Sequence, residues 1–211
     1  MMVTTHVFMG VAMAAGLVTI VPRFAPVIAG AAIVGGLFPD LDLLGDHRKT
    51  LHYPVYYSAA TVVAGLVALL FPTPLSVGIA VFFLTAAVHS VMDIFGAGLA
   101  LRPWLGNSKR AVYDHYSGVW VPPRHWIRYD GAPEDFLLGA ALAVPGIYAF
   151  DGIVHTIIIG ALGISLVYTI SRKFIARTTE RILEQAPDGL VEKLPDHFLP
   201  DEESAETTTS Q

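Results

Sequence analysis

Asp93 apart, charge is swept out of six long stretches of this chain, residues 7–21, 25–38, 55–71, 75–95, 136–150 and 152–171, and collects between and after them. Hydrophobic residues make up 54% of the sequence and charged residues 15%, with a mean hydropathy of +0.56. A soluble domain carries roughly 25% charged residues because its surface needs them. The stretches must therefore face lipid or one another, and the expected fold is all-α, a polytopic membrane helix bundle of about four to six hydrophobic segments. Crossing a hydrocarbon core of about 30 Å takes roughly 20 helical residues. The first, second and fifth stretches are shorter, so half-buried or re-entrant segments are expected among them. Four full crossings plus a buried hairpin fit the same pattern.

Lys and Arg accumulate in cytoplasmic loops. The loop after the second segment holds Arg48 and Lys49. The loop after the fourth holds Arg102, Lys109, Arg110, Arg124 and Arg128, and the stretch after the sixth holds Arg172, Lys173, Arg177, Arg181 and Lys193. Only Arg23 of the 13 basic residues falls on the opposite side. The expected placement is a multi-pass protein of the plasma membrane with both termini cytoplasmic. No Lys or Arg precedes the first apolar stretch, so a cleavable signal peptide, with its positive leading region, is not expected.

Residues 1–180 are expected to form one membrane helical domain. It includes an interfacial loop over 99–135, which holds Trp104, Trp120 and Trp126 beside Tyr113, Tyr116 and Tyr129; such rings favour the headgroup zone. Residues 181–211 lose apolar content and carry Asp196, Asp201, Glu202, Glu203 and Glu206, the composition of a disordered acidic tail. The net charge of -5 gives no global basic field, and no direct nucleic-acid binding is expected. Absent cysteine excludes disulfides, thiolate zinc sites and cysteine nucleophiles. There is no His-Glu-x-x-His, no Gly-x-Ser-x-Gly and no phosphate-binding Gly-rich loop with Lys. Gly30, Gly35 and Gly36 read as small residues for close helix packing.

Ionisable residues near a bilayer core are costly and mark function, and here they form a short set. His6 opens the first segment, Asp40 and Asp42 follow Pro39 at the end of the second, and His47 and His52 bracket Arg48-Lys49 before the third. His89 and Asp93 stand four residues apart at the end of the fourth, on one helical face. By the charge-derived topology all of them fall at the cytoplasmic ends of their helices. Imidazoles mixed with carboxylates suit one or two divalent metal ions, zinc first, with manganese, iron or magnesium as alternatives. Taken singly, each has a plainer role. Asp40 could cap a helix or pair with Arg48, His47-Arg48-Lys49 could be a positive anchor, and His6 an interfacial histidine. Asp114-His115 is an accessory candidate, His155 reads as structural, and His125 and His197, in the surface loop and the tail, are weaker candidates still.

In order along the chain, Thr5-His6-x-x-x-Gly10, Leu37-Phe38-Pro39-Asp40-Leu41-Asp42, His47-Arg48-x-x-x-His52 and His89-x-x-x-Asp93 resemble the family of putative membrane-bound metal-dependent hydrolases, some described as LexA-binding inner-membrane proteins. The resemblance covers roughly residues 4–100. The stretches 111–116 and 128–135 look like an archaeal, halophile-type branch. Many members have Gly after the His-Arg pair and Thr-His-Ser around the second histidine, where this chain has Lys49 and Leu51-His52-Tyr53. Membership implies a metal site of His6, Asp40, Asp42, His47, His52, His89 and Asp93, and a hydrolase activity.

The expected function is a metal-dependent membrane hydrolase with Arg48 steadying an anionic substrate and Asp40 or Asp42 serving as base toward metal-activated water. A small amphiphilic or phosphoester substrate is expected, with membrane lipid as the constant partner and a protein partner reachable through the tail or the loop. Two other classes fit the composition. A small transporter or ion relay would spread ionisable groups through the membrane depth, and a scaffold would use the metal only to hold its fold.

Overall fold

The computed structural model describes residues 1–187 together with residues 189, 194, 195, 198 and 199. The expected tail, with His197 and most of its acidic residues, lies outside the described residues. Six α-helices carry the fold among those described: α1 Val3–Ile20, α2 Ala25–Leu37, α3 Pro54–Leu70, α4 Pro74–Met92, α5 Pro133–Ala149 and α6 Gly152–Leu183. The protein is an all-α helical bundle. Proline opens α3, α4 and α5, where its missing N–H costs nothing and its fixed φ suits a first turn. At α4 a capping box adds to this: Thr73 Oγ1 accepts from Ser76 N at 3.1 Å and Ser76 Oγ accepts from Thr73 N at 3.0 Å.

Four helical stretches are long and apolar enough to cross a membrane, Val3–Ile20, Pro22–Leu43, Pro74–Phe95 and Gly152–Leu183. The first two were expected to be short. The first gains length because Thr4, Thr5 and His6 continue its helix. The second gains it from a 3₁₀ turn before α2 and another, Phe38–Leu44, after it. Outside those four stretches, α3 and α5 have 17 residues each. Broad apolar faces stay uncovered: Leu69 is 79% exposed on α3 and Ile170 76% on α6. Exposed apolar area on this scale marks a partner surface and fits helices that lie in a membrane.

The bundle is ordered by α1 packing between α2 and α5, α2 against α4, and α4 against α3, while α6 docks chiefly on α5. Phe8, Val11, Ile28 and Ile158 form the heart of the core. Close approach is what sets the α1–α2–α4 spacing. A Cβ on Gly10 would sit 2.6 Å from the Ala32 carbonyl oxygen, and one on Gly35 would run into Thr85 Oγ1 and the Phe82 carbonyl. A Cβ on Gly36 would meet the His6 carbonyl oxygen at 3.0 Å. Gly30, grouped with them by sequence, faces open space, and its role is not packing.

The 99–135 stretch, expected as a surface loop, is folded. Its two three-residue strands, β1 Val112–Asp114 and β2 Val119–Val121, pair antiparallel with Tyr113 opposite Trp120. Trp126 is exposed, whereas Trp104 and Trp120 are half-buried and Tyr129 is buried.

Candidate metal centre

Each side chain of the cluster is delivered by a different local device. The first turns of α1 present His6. Pro39 ends the α-helical course of α2, and the tighter 3₁₀ turn that follows carries Asp40 and Asp42. The segment 45–53 brings His47, Arg48 and His52. The last α-helical turn of α4 supplies His89, and Asp93 begins the short 3₁₀ turn that closes that helix.

All seven expected ligands lie in one cluster, and Asp40, His52, His89 and Asp93 form its centre, each offering a ligand atom within 4.8 Å of the others. Asp40 Oδ1 is 3.4 Å from His89 Nε2 and 3.6 Å from His52 Nε2. Asp93 Oδ2 is 3.2 Å from His52 Nε2 and 3.6 Å from His89 Nε2. Buried polar atoms are normally hydrogen-bonded. Here His52 Nε2, His89 Nε2 and Asp93 Oδ2 are buried, point at one another, and have no hydrogen-bond partner among the described residues. Donor atoms of this chemistry, orphaned together, fit a metal ion.

The opposite nitrogen of each ring is anchored. His89 Nδ1 donates to the Gly36 carbonyl at 2.7 Å, and His52 Nδ1 donates to Asp42 Oδ2 at 3.0 Å. His47 Nδ1 donates to Asp42 Oδ1 at 2.7 Å, and its Nε2 lies 4.0 Å from Asp40. An imidazole that donates through Nδ1 presents a bare Nε2 lone pair, the usual arrangement behind a metal-ligating histidine. Asp42 thus sits behind two rings rather than among the converging atoms; it also accepts the backbone N–H of Leu51 at 3.1 Å and of Arg48 at 3.4 Å.

His6 stacks on His89 with ring centroids 3.7 Å apart, and its Nε2 is 3.2 Å from Asp93 Oδ1. That oxygen also receives Arg48 Nη2 at 3.2 Å and the Met1 amine at 3.1 Å. The pairing of Asp40 with Arg48, open on sequence grounds, gives way to Arg48 with Asp93. Arg48 is buried at a left-handed φ of 59° and its Nη1 donates to the Ala97 carbonyl at 2.8 Å.

Asp114 and His115 stand outside the cluster and brace it. His115 Nε2 donates to the Lys49 carbonyl at 2.7 Å and its ring stacks on Tyr53 at 4.4 Å, while Tyr113 N donates to the Arg48 carbonyl at 2.9 Å. The hairpin thereby holds the 45–53 segment. Ser117 Oγ and the Tyr116 N–H, both donating to Asp114, keep its carboxyl below the ordinary value. His125 and His155 also lie outside the cluster.

Two supports have no counterpart in the sequence reading. Asp135, fully buried, accepts from Met2 N at 2.8 Å, Thr5 Oγ1 at 2.7 Å and Gly131 N at 3.1 Å. It caps the start of α1, whose own preceding residue offers no side-chain cap, and so fixes Thr5 beside His6. The Gly36 carbonyl is the other: it is set by the close α1–α2 contact at that glycine. Neither carries a local signal, except that an Asp at the very edge of an apolar segment asks for a partner.

Comparison of the chain with family models, with curated proteins and with solved structures finds no match. The functional reading rests on the cluster.

Proposed function

We propose that this chain is a membrane-embedded, metal-dependent hydrolase of the family its motifs resemble, acting on a phosphoester at the cytoplasmic face of the plasma membrane. The observation that carries this reading is the meeting of Asp40, His52, His89 and Asp93, with three buried ligand atoms that have no hydrogen-bond partner among the described residues. Supporting the orientation is the crowding of Lys and Arg into the loops on one side. The nitrogen–oxygen separations among these four residues run from 3.2 to 3.6 Å, and a mixed imidazole and carboxylate donor set of this kind would suit zinc.

A divalent ion at this centre would supply Lewis acidity and lower the pKa of a water beside it. The remaining roles fall to the chain. His52, His89 and Asp93 would hold the ion, and Asp40, the most open member of the central four with 16% of its side chain exposed, would be left to take a proton from the attacking water. Arg48 keeps one face of Asp93 neutralised and offers its guanidinium to the anionic oxygens of a substrate. Asp42 holds the tautomers of His47 and His52 so that both rings keep their Nε2 lone pairs toward the centre. Gathering of these groups in one cluster supports hydrolysis over an ion relay, which needs ionisable groups strung through the membrane depth.

The test is metal content of the detergent-purified protein, wild type against Asp93→Ala, read beside hydrolysis of p-nitrophenyl phosphate. A bound divalent ion in wild type, lost with turnover in the variant, is the expected result. Wild-type protein with no transition metal or magnesium above background, and no metal-restored turnover, removes the basis of the reading.

A further inference from the structure

Beside the cluster lies a cavity of about 500 Å³, within the range that ligand pockets occupy. Asp40, His47 and Arg48 line its polar end. Leu37, Leu43, Leu99, Leu101, Ile164 and Ile175 line the rest. The α6 wall is a stripe: Ile164, Tyr168, Arg172, Ile175 and Thr179 recur at three- and four-residue spacing, so one helical face runs along the cavity. At 1.5 Å per residue that wall is about 22 Å long.

Tyr168 and Arg172, the long polar side chains on this wall, are spoken for. Asp130 accepts from the Tyr168 hydroxyl and from Arg172, whose Nε is 2.8 Å from Oδ2 and Nη2 3.2 Å from Oδ1; Arg172 Nη2 also donates to the Leu101 carbonyl at 3.3 Å. Away from the cluster the cavity therefore presents hydrocarbon and closed hydrogen bonds. At the cluster it presents Arg48, whose buried Nε has no hydrogen-bond partner among the described residues. Leu37, Leu43 and Ile164 are exposed, so the rim opens on the face of the bundle where α6 is thinly docked.

We infer that this cavity binds an anionic amphiphile with one linear hydrocarbon chain, its phosphate reached by Arg48 and by the divalent ion the cluster would hold, and its chain lying along α6 against Leu37, Leu43, Leu99 and Ile164. The occupant is set by charge and shape together: Arg48 and a metal-competent cluster for an anion, since a divalent ion there would offset the carboxylates of Asp40, Asp42 and Asp93, and a long apolar trough for a chain. This names the substrate class for the hydrolase reading and rests on it for the chemistry at the head. Binding of the chain stands or falls separately.

The experiment uses full-length, zinc-loaded protein in phosphatidylcholine nanodiscs on ice, with dodecylphosphonate bearing a terminal diazirine as the probe, its C–P bond leaving no ester to hydrolyse. Photolabelling is expected in peptides holding 98–101 and 164–175, and tenfold or better competition by dodecylphosphonate over ethylphosphonate, inorganic phosphate or dodecanol. Leu43→Trp and Ile164→Trp, each chosen from the exposed rim so that folding is preserved, are expected to cut labelling at least fivefold. Labelling spread evenly onto α3 overturns the proposal, as does equal competition by ethylphosphonate (a headgroup site only) or by dodecanol (an unselective apolar cleft). So do rim variants that are folded by circular dichroism yet label like wild type. Metal-restored turnover of p-nitrophenyl phosphate without selective labelling keeps the hydrolase and sinks the groove; selective labelling without such turnover does the reverse.

Discussion

Asp42 accepts the Nδ1 proton of His52 at 3.0 Å, and the other side of the same ring points its Nε2 at Asp93 Oδ2, 3.2 Å away. A carboxylate behind the ring therefore determines what the front of the ring offers. Groups placed this way change metal affinity by roughly 10–100-fold when removed. Asp42→Asn keeps the shape and leaves an amide that can donate as well as accept. Metal affinity, read by competition with a chromogenic chelator, is expected to fall by about that factor, with the circular dichroism spectrum unchanged. An affinity equal to wild type would mean that Asp42 does not orient the ring.

Asp93 is the charge on which Arg48, His6 and the Met1 amine converge. Removing one partner of a buried ion pair costs about 3–5 kcal/mol because the other is stranded, whereas replacing both with apolar groups costs far less. Asp93→Ala is therefore expected to lower the Tm in detergent, and Asp93→Leu with Arg48→Met to recover most of that loss while remaining metal-free. A double variant as unstable as Asp93→Ala would show that the carboxylate stabilises the bundle through something other than this pairing.

Much of this architecture was legible because lipid-facing helices tolerate so few polar residues. The apolar runs set the helices, and His6, Asp40, His89 and Asp93 stood out against them. What sequence could not give was anything depending on pairs far apart in the chain. Asp135 caps α1 across 133 residues, Arg172 meets Asp130 across 42, and neither partner marks the other locally. The strands Val112–Asp114 and Val119–Val121 are three residues each, too short to show an alternation. Lengths went astray for a local reason: helix continues through Thr4 and Thr5 and through the turn Phe38–Leu44, where hydropathy alone stops.

Two glycines that look alike in sequence separate sharply in the structure. Gly35 lies against Thr85 and the Phe82 backbone on α4, and Gly30 of the same helix meets nothing within 4 Å. Overpacking a close contact costs roughly 1–3 kcal/mol, while Gly→Ala at an open helical position gains up to about 1 kcal/mol. Gly35→Ala is expected to lower the Tm and, because Gly36 next to it holds His89, to weaken metal binding as well. Gly30→Ala is expected to raise the Tm slightly and leave the metal alone. Equal effects from the two would contradict the α2–α4 contact.

Acid should loosen α6 from the 129–131 turn before it disturbs the rest of that region. Burial alone would raise the Asp130 carboxyl; the Arg172 guanidinium, with the Tyr168 hydroxyl, outweighs it and holds the group below its ordinary value. A carboxyl whose folded pKa is depressed contributes stability that is present above its unfolded pKa, about 3.9, and is lost as pH falls through the lower folded value. The contribution stays below the roughly 3 kcal/mol of a fully buried pair, because Asp130 retains 25% side-chain exposure. Trp104 reports on the contact, lying 5.6 Å from the Arg172 guanidinium and 5.6 Å from the Tyr129 ring. With Trp120 and Trp126 replaced by Phe, Trp104 emission is expected to hold steady down to about pH 4 and to shift red below it. In Asp130→Asn the red-shifted emission is expected at every pH. A wild-type titration midpoint above pH 5, or an Asn variant that still titrates, would assign the acid sensitivity to another carboxylate.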